Sequence, residues 1–96
     1  MKTVYMRIDG RVQRIGFRRW VVSKALALGG LSGWTRNLED GSVEVLMRGE
    51  EAKLDEMIKY CYQGPLFARV DKISFDASAG YLEFLPQIKE GCFFRL

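Results

Sequence analysis

Histidine is absent from this 96-residue chain, and that absence narrows the available chemistry more than any residue present. It removes the commonest general base, the imidazole ligand of most zinc sites, and the base of Ser-His or Cys-His nucleophilic pairs. Cysteine is scarce: Cys61 and Cys92 form no CxxC pair and no ligand cluster, and each lies on an apolar pattern that reads as a buried, inert thiol. Whether the two could pair depends on the fold, because a bridge needs Cα atoms within about 7 Å. No apolar run approaches the roughly 20 residues that span a bilayer. Met1-Lys2-Thr3-Val4 runs straight into an alternating pattern with no signal-peptide core. Repeats, low-complexity tracts and linkers are also lacking. Cytoplasmic residence with no membrane partner is the expectation. Any catalysis must rest on Arg, Lys, Asp, Glu, Asn, Ser or the backbone.

What is present fits one folded domain over residues 1–96: 48% of the residues are hydrophobic and 28% charged, outside the range of disordered chains. A core this small leaves a narrow stability margin, so most apolar residues must serve packing. The net charge is only +3, but the first 20 residues hold Lys2, Arg7, Arg11, Arg14, Arg18 and Arg19 against Asp9 alone. Such a cluster concentrates anions, whether phosphate esters, nucleic acid or acidic lipid; the plain alternative is a solvated basic face.

Thr3 to Ile8 alternates Val4, Met6 and Ile8 against Thr3, Tyr5 and Arg7, the period-two pattern of a half-buried strand. Arg11 to Gly16 is polar, basic and glycine-flanked, a loop. From Phe17 to Leu28, Val21, Val22, Ala25, Leu26 and Leu28 fall at helical spacing, and Gly29-Gly30 supplies the residue type of a left-handed C-terminal cap. Leu31 to Asn37 is extended, Leu38-Glu39-Asp40-Gly41 turns, and Ser42 to Arg48 alternates Val43, Val45 and Met47 against Glu44, Leu46 and Arg48, completing a hairpin. Gly49 opens a second helix in which Leu54, Met57, Ile58 and Cys61 form one apolar stripe; Gly64-Pro65 ends it. Arg69 to Asp76 reads as a strand and Cys92 to Leu96 as a short final one. The order β-α-β-β-α-β predicts an α+β, ferredoxin-like sandwich: an antiparallel sheet with two helices on one face and a short extra C-terminal strand. That architecture hosts many functions and decides none.

The loop between the first strand and the first helix is the informative feature. N–H groups at a helix N-terminus lack intrahelical acceptors, and the helix dipole adds partial positive charge there. A loop curling its amides inward makes an anion nest, and an arginine at the helix start adds a bidentate fork. Phosphate is the natural guest. Alone, a glycine-flanked loop is weak evidence, and an ordinary hairpin with Trp34 in the core explains the segment 33–44 equally well.

Taken together, these two segments resemble the two signature motifs of the acylphosphatase family. Gly10, Val12, Gln13, Ile15, Phe17 and Arg18 match G-x-V-Q-G-V-x-F-R, and Gly33, Trp34, Asn37, Asp40, Gly41, Val43 and Glu44 match G-W-V-x-N-x-x-D-G-x-V-E. Gly64-Pro65 with Ala68-Arg69-Val70, and the terminal Phe93-Phe94-Arg95, also look like family segments, so the resemblance spans nearly the whole chain. It implies hydrolysis of a small-molecule acyl phosphate by a monomer, without metal or cofactor. Arg18 matches the catalytic arginine and would hold the phosphoryl oxygens with the amides of Gln13, Arg14, Ile15, Gly16, Phe17 and Arg18. Asn37 matches the catalytic asparagine and would orient the attacking water. Trp34 and Phe17 read as packing residues, Asp40-Gly41 as a structural turn, and Phe67, Phe93 and Phe94 as core or edge.

Two positions depart from the pattern. Arg14 stands where the family has glycine, which suits a left-handed backbone or close approach to phosphate. A non-glycine residue forced left-handed costs about 1–2 kcal/mol; alternatively Arg14 points outward and adds attraction for the anion. A catalytically weak phosphate-binding relative therefore stays open as an alternative. Thr35 replaces the usual valine, a β-branched exchange of similar size. The same fold also carries RNA-recognition domains, but those display aromatics on the two central strands. Tyr5 is the only one there, so a nucleic-acid partner is not expected. Domains of this family also occur inside larger carbamoyl-transfer maturation proteins; a chain of this length favours the free enzyme.

Overall fold

The computed structural model describes residues 1–75 and 82–96. Its elements are β1 (Lys2–Arg11), α1 (Phe17–Leu28), β2 (Ser32–Asn37), β3 (Val43–Gly49), α2 (Glu51–Gln63), β4 (Arg69–Ser74) and β5 (Phe93–Arg95). The sheet order is β4-β1-β3-β2-β5. The first four strands pair antiparallel, as the ferredoxin-like order requires. β5 instead joins β2 in parallel, with Thr35 opposite Arg95, so the sheet is mixed rather than wholly antiparallel.

One face of the sheet follows the alternation. Met6, Ile8, Val43, Val45 and Met47 pack against Phe17, Val21 and Ala25 of α1 and Leu54, Met57 and Cys61 of α2, all buried in one cluster. Burying each large apolar side chain contributes roughly 1.5–3 kcal/mol before chain entropy is counted. Ile58 completes the α2 stripe but stays partly exposed. α1 occupies the predicted residues and ends at Gly29, whose N–H bonds Ala25 O (3.0 Å); with ψ 160° this cap has positive φ but is not left-handed helical. Lys53 Nζ donates to the carbonyls of Leu28 and Gly29 at 3.0 and 2.9 Å, tying the end of α1 to α2.

The other face departs from expectation. Glu44 and Leu46 alternate with the helix-facing Val43, Val45 and Met47, yet both are buried as well. Tyr5, Trp34, Leu46 and Leu85 form a second cluster, covered by Leu82, Ile88 and Phe94. Trp34 Nε1 donates to Pro86 O at 2.8 Å. Glu44 accepts from Tyr5 Oη (2.5 Å) and Arg36 Nε (2.6 Å), which supplies partners to a carboxylate with no solvent access. Residues 82–94 thus give the sheet a second covered face, which a period-two pattern cannot announce when the covering chain has no regular structure.

Boundaries shift for physical reasons as well. Gly49 closes β3 by pairing with Lys2, and α2 starts only after Glu50. β4 ends at Ser74; the predicted end at Asp76 lies outside the described residues. Cys61 is buried, and desolvation pushes its thiol up to about 12. Cys92, read as buried, is exposed in the turn before β5.

Candidate active site

β1 bulges between Asp9 and Gly10 yet keeps pairing with β4 through Arg11, and the bulge bends and twists the strand just before the loop. Val12 and Phe17, each only 1% exposed, anchor both ends of the following loop in the core. Between these anchors the backbone turns left-handed twice, at Arg14 (φ 65°) and Gly16 (φ 81°). The structure therefore answers the question posed by Arg14: this loop position does take the conformation for which glycine is suited, and an arginine holds it. Gly16 is the N-cap of α1. Its carbonyl accepts Trp20 N–H (2.9 Å), but no side chain caps the helix and no acid lies in the first turn. The N–H groups of that turn have no helical acceptor and remain available to an anion.

A cavity of about 180 Å³ opens at this helix end, over Val12 and Phe17, and is lined by Arg14, Gly16, Arg18, Arg19, Asn37 and Arg95. Four arginines and no carboxylate give it a positive field suited to an anion of more than one charge. Asn37 is exposed at the end of β2, on the helix-facing side, where it pairs with Val43.

Gln13 fixes the relation between loop and strand. Its Nε2 donates to Leu38 O (2.7 Å) and Ser42 O (2.8 Å), bridging the loop to the turn that follows Asn37. That turn is closed by Leu38 N–H to Ser42 O and Gly41 N–H to Leu38 O. Asp40 Oδ1 accepts from Ser42 Oγ (2.5 Å) and Ser42 N–H (2.9 Å). These two bonds, the hydroxyl's first, hold the Asp40 carboxyl below its usual range.

The parallel strand brings in groups the sequence reading missed. Leu96 N–H bonds Thr35 O (2.9 Å), and Arg18 Nη1 donates to Leu96 O (2.8 Å), holding the guanidinium at the cavity mouth. Arg95, one pair back, lines the cavity with Arg19. Neither arginine was singled out beforehand. Arg19 was visible as part of the basic cluster, whereas Arg95 had no local signal beyond its place in the last strand. Of the predicted loop residues, Arg14, Gly16, Phe17 and Arg18 line the cavity. Gln13 points its side chain at the turn, and Ile15 lines a neighbouring hollow instead. Among the described residues, no three His, Cys, Asp or Glu side chains gather as a metal site would need.

The acylphosphatase family model matches residues 4–84, and so takes in the loop, the first turn of α1, Asn37 and the hairpin. The chain belongs to the acylphosphatase family. An acylphosphatase of Rhodospirillum rubrum is 48% identical over 73 residues, 76% of this chain and 79% of that one. The crystal structure of acylphosphatase from Bacillus subtilis superposes with a TM-score of 0.83 at 30% identity, covering all of this chain and 99% of that one. HypF from T. kodakarensis is similar over the whole of this chain but only 12% of its own, with a TM-score of 0.78 and 29% identity. The protein is thus an acylphosphatase enzyme, a hydrolase of acyl phosphates with the ferredoxin-like α+β fold. No described helix is long and apolar enough to cross a membrane.

Proposed function

We propose that acyl phosphate hydrolysis takes place in the arginine-lined cavity, with Arg18 and the amides of residues 13–18 holding the phosphoryl oxygens and Asn37 orienting the water. The observation that carries this reading is the convergence of Arg18 and Asn37, from different elements, on one cavity without a carboxylate. The water oxygen bonds to phosphorus, the bond from phosphorus to the acyl oxygen breaks, and the carboxylate departs with the electron pair. One water proton passes to a phosphoryl oxygen of the substrate, and the other stays on the new hydroxyl. A carboxylate leaving group needs no protonation, so the absence of histidine costs nothing here. Positioning and charge stabilisation supply the acceleration. A neutral amide at Asn37 orients water without repelling a dianion, which a carboxylate base would do.

The loop, helix end and strand that line the cavity belong to a single domain, and we propose that residues 1–96 act as a monomer. An exposed Cys92 and an unpaired Cys61 suit a reducing compartment, in keeping with a cytoplasmic enzyme. A second reading, a phosphate-binding relative of low turnover, draws on the left-handed arginine in the loop.

The test is hydrolysis of benzoyl phosphate at neutral pH with EDTA present, by wild type, Arg18→Ala and Asn37→Ala. Turnover by wild type with a loss of at least about 100-fold in each variant is expected. A folded wild type that binds phosphate but does not turn over would leave only the second reading.

A further inference from the structure

A second hollow, of about 320 Å³, adjoins the arginine cavity and is lined by Ile15, Gly16, Arg19, Trp20, Ser23 and Pro65. Gly16 and Arg19 line both spaces, so the two adjoin at the first turn of α1. Their chemistry differs. The first is ringed by guanidinium groups; the second presents an isoleucine, an indole and a proline, with Arg19 at the boundary. We propose that this hollow is the subsite for the acyl substituent, and that it selects acyl phosphates whose substituent is a bulky apolar group, aryl or extended alkyl. The inference rests on the phosphoryl group occupying the arginine cavity as described above.

Three observations support that occupant. An acyl phosphate is polar at one end and carries its variable group at the other, the same polarity as the paired spaces. Asn37 lines the first space but not the second, so the departing acyl group and the attacking water need not compete for room. The indole is also held in place beforehand. Trp20 Nε1 donates to Tyr60 O (2.9 Å), the two rings meet edge to face at 6.2 Å, and Lys24 Nζ lies 4.4 Å from the Trp20 ring centroid. A wall already fixed loses little side-chain freedom on binding. A closed cavity of about 150 Å³ can hold benzene, so the open hollow has room for an aryl group. Beyond Pro65, Leu66 and Phe67 are 80% and 76% exposed, extending apolar surface outward, and Phe67 holds a left-handed φ of 74°.

Acetyl phosphate and 3-phenylpropionyl phosphate release carboxylates of similar basicity, so a difference between them reports contact rather than reactivity. The experiment measures kcat/KM for both with wild type, Trp20→Ala and Ser23→Phe, and inhibition by inorganic phosphate as the check on the arginine cavity. Wild type should prefer the phenylpropionyl substrate by at least about tenfold. Ser23→Phe, on an exposed helix position, fills the hollow and should bring the preference close to one; Trp20→Ala removes a wall and should cut it by about fivefold or more. Equal kcat/KM for both substrates in wild type, or a preference that Ser23→Phe leaves intact, overturns the subsite. Failure of wild type to hydrolyse either substrate while phosphate still binds overturns it differently, by removing the hydrolytic reading beneath it.

Discussion

The two helices of this protein begin in opposite ways. α2 follows β3 almost directly: Glu50 caps it in an extended conformation, the N–H groups of Lys53 and Leu54 both find Glu50 O, and Glu51 places a carboxylate in the first turn. α1 follows a five-residue loop with two left-handed residues, has no acid in its first turn, and carries Arg18 and Arg19 there. Negative charge near a helix N-terminus is stabilising by about 0.3–1 kcal/mol, and like charge is not. α2 supplies that charge itself. α1 leaves it to be supplied from outside, and its arginines make a dianion the fitting occupant. The difference marks the helix end proposed to serve chemistry, which helical periodicity alone would not reveal.

Exchanging the two kinds of terminus should give the largest effect. Arg19→Glu puts an α2-like acid into the α1 turn and should lower kcat/KM for an acyl phosphate by about 100-fold, through repulsion at close range. Glu51→Lys on α2 should leave activity within about twofold and cost about 0.3–1 kcal/mol of stability. Comparable losses of activity in both variants would erase the distinction.

Gln13→Leu removes the brace between loop and turn. It should destabilise the fold by about 1–3 kcal/mol, since Leu38 O and Ser42 O lose a donor. It should also lower kcat more than it raises KM, because Asn37 loses its fixed position. Steady-state kinetics beside a denaturant titration separates the two effects.

Arg14→Gly relaxes the left-handed position. Stability should rise by about 1 kcal/mol and turnover should hold or increase. A loss above about tenfold would assign the Arg14 side chain a role of its own. Thr35→Val is the matching change beneath the site. Thr35 Oγ1 is buried with no hydrogen-bond partner, so the apolar isostere should stabilise by about 1 kcal/mol, read as a shift in the denaturant midpoint.

The smallest effect concerns the hairpin. Asp40 has its folded-state pKa held below the ordinary 3.8 by the Ser42 hydroxyl and amide. Such a depressed group contributes stability that is present above the unfolded value and lost as pH falls through the folded one. Stability should therefore decline below about pH 4 more steeply in wild type than in Asp40→Asn, as followed by thermal unfolding across acidic pH.

Much of this was legible in the chain. Phe17–Leu28 was read with the bounds it has because five apolar side chains at helical spacing lie between a basic, glycine-flanked loop and a glycine pair. Val43, Val45 and Met47 were placed on the core face because alternation is a local property of an extended backbone. Arg18 and Asn37 were found through two motifs, each a short stretch whose residue types are set by its own turn or helix end. What escaped was of another kind. The burial of Glu44 had no sequence signal because its partners, Tyr5 and Arg36, sit on neighbouring strands. Cys92 was read as buried from the apolar pattern that follows it, Phe93-Phe94, which says nothing about the turn it closes.

The left-handed turns at Arg14 and Gly16 were read from the backbone; by itself the sequence determined the order and type of the elements and the basic, glycine-flanked loop before α1. Those depend on neighbours within a few positions, where steric limits and side-chain period act directly. Only the tertiary structure decided that β5 runs parallel to β2, that Leu96 reaches Arg18 across 78 positions, that Arg95 joins the anion cavity, and that Ile15, Trp20 and Pro65 meet beside it. These juxtapositions join segments far apart in the chain, and their geometry is set by packing of the whole core around them, which no local pattern records.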